Sequence, residues 1–185
     1  MRRNLIMKKP TKKTLNSIEM IKIMESIPKN DSNLQYIDEP AGKEHYRLLV
    51  WLGGQVKGKI MELGSLRGHS AFCLAQFGNE VLSFDIENQI SLNYKPKNLN
   101  FYVSEKGHLL IDDSFDLLFI DTMHDGIYEE QVLNHLREIK WKGIVLMDDI
   151  LLFEELSKLW EEIPEQKADW TDIGHHSGTG IIWFK

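Results

Sequence analysis

Five short apolar runs in the last two-thirds of the chain, with helical stretches between them, constrain the fold more than any other feature: residues 60–63, 81–85, 101–103, 115–121 and 144–149. A strand with one wet face alternates apolar and polar residues with a period of two. Runs that lack the alternation suit parallel strands covered on both faces. Helical spacing falls between them at 70–77 and 129–139, and again after the last at 153–163. This alternation predicts an α/β chain with an open, doubly wound sheet that is mostly parallel. The end of the chain breaks the rhythm. Residues 170–173 and 179–184 read as two strands joined only by the short loop Gly174-His175-His176-Ser177-Gly178, and so short a link requires an antiparallel pair.

Ahead of the runs, Leu15, Ile18, Ile21, Ile23 and Met24 predict a helix over 15–27 that ends before Pro28. Residues 29–40 are polar and turn-rich, and helical spacing resumes over 42–55 through Tyr46, Leu49, Val50 and Leu52. A chain of 185 residues suffices for one domain with a sizeable core. The expected division is a basic arm over 1–13, cap helices over 14–57 and the core over 58–185. The arm carries Arg2, Arg3, Lys8, Lys9, Lys12 and Lys13. It reads as a solvated terminus, with contact to an anionic partner as the alternative.

A net charge of -6 gives no general basic field, so no nucleic-acid partner is expected. No run approaches the ~18 apolar residues of a membrane span, and Leu5-Ile6-Met7 is too short for a secretory apolar region. The expectation is a cytoplasmic protein with no membrane partner. The single cysteine, Cys73, sits in a helical pattern, where a thiol packs as a small hydrophobe.

In open α/β sheets ligands bind beyond the carboxyl ends of the strands. Three acids stand at two such ends: Asp121 after one run, and Asp148 with Asp149 after the next. Any one alone reads equally as a cap or turn former. Side chains of adjacent strand residues point to opposite faces, so one of Asp148 and Asp149 is expected to orient the other. The first strand-to-helix turn carries Gly64 and Gly68, where glycine lets backbone approach a ligand and the next helix presents free N–H groups. Its Gly-x-x-x-Gly spacing departs from the Gly-x-Gly-x-x-Gly of pyrophosphate binders, so an adenosyl group without a diphosphate fits better than a dinucleotide. Asp85, at the end of the second run, lies where a carboxylate can accept both ribose hydroxyls.

The run IMELGSLRGHSAFCLAQFGNEVLSFDIE resembles the first motif and acidic loop of class I S-adenosylmethionine-dependent methyltransferases. The later run FDLLFIDTMHDGIYEEQVLNHLREIKWKGIVLMDDI is similar to the metal-dependent small-molecule O-methyltransferases, of the catechol and caffeoyl-coenzyme A type and of the macrocin and cephalosporin-hydroxylase-like branch. The resemblance covers roughly 42–185. It implies a Rossmann-like, seven-stranded sheet with an antiparallel C-terminal strand. It also implies S-adenosylmethionine as cofactor, with Glu62, Gly64, Ser65 and Gly68 bordering the methionine part, Asp85 on the ribose, Ile86 against adenine, and Ser104 with Glu105 at the adenine edge. YVSEKG departs there from the commoner Gly-Asp form.

The resemblance further implies Mg²⁺ or another divalent cation at Asp121, Asp148 and Asp149. Such an ion lowers the pKa of a substrate hydroxyl and orients it, and hard oxygen ligands suit Mg²⁺. His124 follows Asp121 by three residues, where the catechol-type relatives carry a lysine base; an imidazole of ordinary pKa can take a proton at neutral pH. Asp121 and His124 are thus the expected catalytic pair. His175 and His176 are weaker candidates for touching substrate, and Tyr128 and Trp51 are wall candidates, with core packing the readier fate of Trp51. The expected activity is methyl transfer to a hydroxyl of a small molecule, and a homo-oligomer is expected by family habit. An adenosyl-binding module without catalysis is the alternative, and the glycine spacing disfavours a nicotinamide-dependent oxidoreductase.

Overall fold

β1 (Lys59–Leu63), β2 (Val81–Asp85), β3 (Leu99–Val103), β4 (Phe115–Ile120) and β5 (Gly143–Asp148) run parallel, and β6 (Gln166–Asp169) and β7 (Thr179–Phe184) complete one seven-stranded sheet in the order β3-β2-β1-β4-β5-β7-β6. β7 is antiparallel to both of its neighbours and is the one strand that runs against the rest. The structure, a computed structural model, describes residues 7–37 and 43–185, without the side chains of Tyr36, Lys43 and Glu44. Arg2, Arg3, the 38–40 part of the turn-rich stretch and Gly42 at the start of the expected second helix lie outside the described residues.

The unbroken apolar runs follow from burial on both faces. Ile60, Leu117, Phe119 and Ile144 pack in one cluster with the N-terminal helices and α4 (His69–Leu74). Their alternates Met61, Leu118, Ile120 and Val145 pack in a second cluster with α5 (Ile127–Glu138) and α6 (Glu154–Glu162). On α3 (Lys43–Gln55), Leu48, Leu49 and Leu52 are fully buried, each worth about 1.5–3 kcal/mol of transfer free energy. Strand order reverses between β1 and β4, so a crevice opens beyond their carboxyl ends. Among the described residues no helix is long and apolar enough to cross a membrane.

Two expectations are corrected. Residues 15–27 form two helices, α1 (Lys12–Asn16) and α2 (Ile21–Ser26). The Ser17 hydroxyl bonds back to the Thr14 carbonyl at 2.7 Å and ends α1, and α2 then turns Met20, Ile23 and Ile27 inward while Ile21 and Met24 face solvent. The sixth strand is Gln166–Asp169, not 170–173, which form a 3₁₀ turn at 171–173 whose Trp170 and Ile173 are buried against the sheet. Near the start of the chain, Met7 is buried and Lys9 pairs with Asp172, so this end of the basic arm lies on the core.

The cap region is tied to the crevice. Asp31, its side chain buried, faces Arg67 on the turn after β1 and stands 3.3 Å from Nε2 of His69, the first residue of α4. Asn93 N–H donates to the Ser26 carbonyl at 2.7 Å, and the Tyr94 hydroxyl to the Lys22 carbonyl at 2.9 Å.

Candidate active site

Both expected glycines adopt positive φ, but the space their missing Cβ leaves is taken by the protein itself. A Cβ on Gly64 (φ 97°) would lie 1.6 Å from the Asp121 carbonyl oxygen, and one on Gly68 (φ 85°) 2.8 Å from the Phe101 ring. Gly64 is therefore glycine because the β4 end crosses it. The same contact, with Asp121 N–H donating to the Leu63 carbonyl at 2.9 Å, locks the turn after β1 to the first acid.

Beside this turn a cavity of about 70 Å³ is lined by Ser65, Asp85, Glu87, Phe101, Tyr102 and Val103 among others. Asp85 accepts the Leu66 N–H at 2.7 Å, which aims one carboxylate oxygen into the turn. Glu62 is fully buried below: Ser83 donates to its Oε2, Ser65 bonds Ser83, and Oε1 has no hydrogen-bond partner. Burial pushes Glu62 up to about 8, against the hydrogen bonds from Ser70 and Ser83. Ile86 is exposed and does not line the cavity, whose wall there is Glu87, Asn88 and Ile90. Ser104 hydrogen-bonds through its N–H to the Asp85 carbonyl at 2.8 Å, but neither it nor Glu105 lines the cavity, whose wall there is Tyr102 and Val103.

On the other side of Gly64 a cleft of about 280 Å³ is lined by Asn33, His45, Tyr46, Asp121, Asp148, Asp149 and His175. Asp148 is the last residue of β5, and Asp149 lies just past it at φ 59°, in the left-handed region. That turn overrides strand alternation, so both carboxylates enter one cleft rather than opposite faces. The three acids divide into two sets that share Asp149. Asp121, His124 and Asp149 bring ligand atoms within 4.8 Å of one another, and so do Asp148, Asp149 and His175. His124 Nε2 stands 3.5 Å from Asp121 Oδ1 and 3.3 Å from Asp149 Oδ2. His175 Nδ1 stands 2.9 Å from Asp149 Oδ1, which also accepts from Ser177.

Burial pushes the Asp148 carboxyl well above the usual range, and the Asp149 charge adds to it. Asp121 is raised likewise by desolvation and by Asp148 and Asp149. For Asp149 burial works the same way, but hydrogen bonds from His175 and Ser177 outweigh it and leave the group below its ordinary value. His124 sits at φ 58° on a loop held by buried Glu129, whose Oε1 accepts the His124 N–H at 3.0 Å and the Thr122 hydroxyl at 2.7 Å.

Other candidates fall elsewhere. His176 is exposed and touches only the edge of the His175 ring, because the loop turns it away from the cleft. The Tyr128 hydroxyl pairs with His108 Nδ1 at 3.0 Å, outside the cleft lining. Trp51 packs edge-on against Trp170, and Cys73 is in the core. His45 was missed by the sequence reading. It stands at i relative to Leu48, Leu49 and Leu52 at i+3, i+4 and i+7, so a titratable residue on the buried stripe of α3 was the available signal. Burial and the His175 charge bring it down to about 3.

No family model matches the chain, and no curated protein does. Solved structures do. The S-adenosylhomocysteine-bound methyltransferase PaMTH1 of Podospora anserina superposes with TM-score 0.57 at 16% identity, over 90% of this chain and 87% of that one. The fold is that of the class I methyltransferases. A Geobacter sulfurreducens methyltransferase shares it at TM-score 0.56 and 14% identity, over 86% and 93% of the two chains. So does the O-methyltransferase TomG of Streptomyces achromogenes, solved with S-adenosylmethionine, at 0.53 and 13% over 76% and 79%.

Proposed function

We propose that the chain is an S-adenosylmethionine-dependent O-methyltransferase that acts on a hydroxyl of a small molecule with the help of a divalent cation. The observation that carries this reading is the contact at Gly64, which joins the turn after Glu62 to Asp121, one of three carboxylates that line the cleft, with His124 beside two of them. Both groups find fitting residues. Glu62 Oε1 is a buried acceptor without a partner below the turn, suited to the ammonium of a methionine moiety, and Asp148 Oδ1 is a second such atom in the cleft.

Asp85 would accept the ribose hydroxyls. Asp121, Asp148 and Asp149 would hold the cation. When bound, the two groups would supply an electrophilic methyl and a lowered hydroxyl pKa. His124 would take the acceptor's proton on Nε2, and Asp121 and Asp149, both facing that nitrogen, would share the charge it gains. S-adenosylmethionine would supply the methyl, its S–CH₃ bond giving way to the O–CH₃ bond with S-adenosylhomocysteine as the leaving product. Asn33 and Tyr46 would line the acceptor side.

The test is a screen of vicinal-diol and phenolic acceptors, read as S-adenosylhomocysteine release. Turnover should vanish with chelator and in Asp121→Asn. In His124→Ala kcat should fall about 10²-fold or more, with S-adenosylhomocysteine affinity unchanged. Full turnover in chelator contradicts the cation's part, and an unchanged kcat removes His124 as the base.

A further inference from the structure

We propose that imidazole nitrogen completes the cation site, through His175 and His45, so that the site selects a borderline transition ion such as Zn²⁺ or Co²⁺ over Mg²⁺. This rests on the reading of the cleft as a divalent-cation site. Both oxygens of Asp148 are flanked by imidazole. Nδ1 of His45 faces Oδ1 at 3.7 Å, and Nδ1 of His175 faces Oδ2 at 3.7 Å while standing 2.9 Å from Asp149 Oδ1.

His45 and Asp148 are only 6% and 4% exposed, and the two atoms that face each other, His45 Nδ1 and Asp148 Oδ1, have no hydrogen-bond partner. At 3.7 Å they are too far apart to bond each other. An unmatched buried polar atom is costly, so a pair left facing across that gap points to a shared ligand. The spacing suits a metal. Neighbouring donors of a tetrahedral ion with bonds of about 2.1 Å lie roughly 3.4 Å apart.

The nitrogens are also held in place from independent elements. His45 is carried by α3, which Leu48, Leu49 and Leu52 anchor in the core. His175 is fixed by its N–H donating to Thr179 Oγ1 at 2.8 Å, and Gly174 packs so tightly on Thr179 that a Cβ would lie 2.3 Å from that oxygen. Mg²⁺ favours octahedral oxygen donors and keeps its waters, whereas imidazole suits zinc, copper, iron and nickel. Two fixed nitrogens beside two carboxylates are therefore a poor magnesium cage.

The experiment strips the full chain with chelator, titrates Co²⁺ and Mg²⁺ separately, and dialyses the protein with one equivalent of Co²⁺ in excess Mg²⁺. Co²⁺ should be retained, and the proton spectrum of the cobalt form should show hyperfine-shifted, exchangeable imidazole N–H signals. His175→Gln should remove one signal and weaken Co²⁺ at least about tenfold while changing Mg²⁺ affinity less than about threefold. His45→Gln, on a separate element, should remove another. Unchanged Co²⁺ affinity in both variants, or equal losses for both ions, assigns the site to oxygen donors and overturns the inference while leaving the methyltransferase reading intact. No cation binding in the unaltered chain, with S-adenosylhomocysteine still bound, overturns the inference and the cation's part in the proposed function together, but not the adenosyl pocket.

Discussion

Replacing Gly64 with alanine tests the junction between the two halves of the site. The new Cβ would lie 1.6 Å from the Asp121 carbonyl oxygen, where ordinary contact needs about twice that distance, so the β4 end must retreat. Overpacking of this kind costs about 1–3 kcal/mol, and the positive φ of 97° adds about 1–2 kcal/mol for a residue with a side chain. Together they come to about 3 kcal/mol, or roughly 6–12 °C in Tm for a chain of this size. Gly78 is the control: its φ is 84°, but a Cβ there meets nothing within 4 Å, so Gly78→Ala carries only the backbone cost, roughly 2–8 °C. Calorimetric melting of both variants, followed by titration with Co²⁺, reads the two effects. Gly64→Ala should melt well below Gly78→Ala and bind the ion more weakly, because the displaced atom belongs to Asp121. Equal melting temperatures and unchanged cation affinity would refute the argument that this glycine couples turn and cleft.

Glu62 makes stability and cofactor binding depend on pH. Its pKa in the fold is raised to about 8, so the protonated form is favoured there, and its contribution is fully present below the ordinary value of 4.5 and lost as pH rises through about 8. Melting curves of the protein and of Glu62→Gln should diverge across that window, by about 5 kcal/mol at the very most, and parallel curves would contradict the burial argument. The ammonium of a bound S-adenosylhomocysteine should ionise Glu62 and release up to about one proton near pH 7, seen by calorimetry in buffers of different ionisation heat and absent in Glu62→Gln. Glu129→Ala should leave the Thr122 hydroxyl and the His124 N–H without their acceptor, lower stability by about 2 kcal/mol and speed amide exchange over 122–126. Unchanged exchange would show that Glu129 does not hold the His124 loop.

The buried strands were legible because a strand covered on both faces needs no polar alternation. Val81–Asp85 and Thr179–Phe184 match their expected bounds, and Asp121, Asp148 and Asp149 could be placed at a sheet end from chain order alone. β6 was not legible. It is an exposed edge strand, Gln-Lys-Ala-Asp, whose pairing to β7 leaves no apolar signature, while Trp170 and Ile173 owe their apolarity to a buried turn. The break between α1 and α2 was hidden because Ile21 and Met24 look like core residues but face solvent. Nor could residue types alone reveal that Asp149 adopts φ 59°, which brings both neighbouring carboxylates into one cleft, or that His45 reaches it from a helix about a hundred residues upstream.

The crevice at Ser65 and Asp85, above buried Glu62, should take an adenosyl cofactor beside a cation-holding cleft. Calorimetric titration of the full chain with S-adenosylhomocysteine tests it most directly. One molecule should bind per chain, with affinity lost in Asp85→Ala and retained in His124→Ala. Absence of binding, or binding of a nicotinamide dinucleotide in its place, would contradict it.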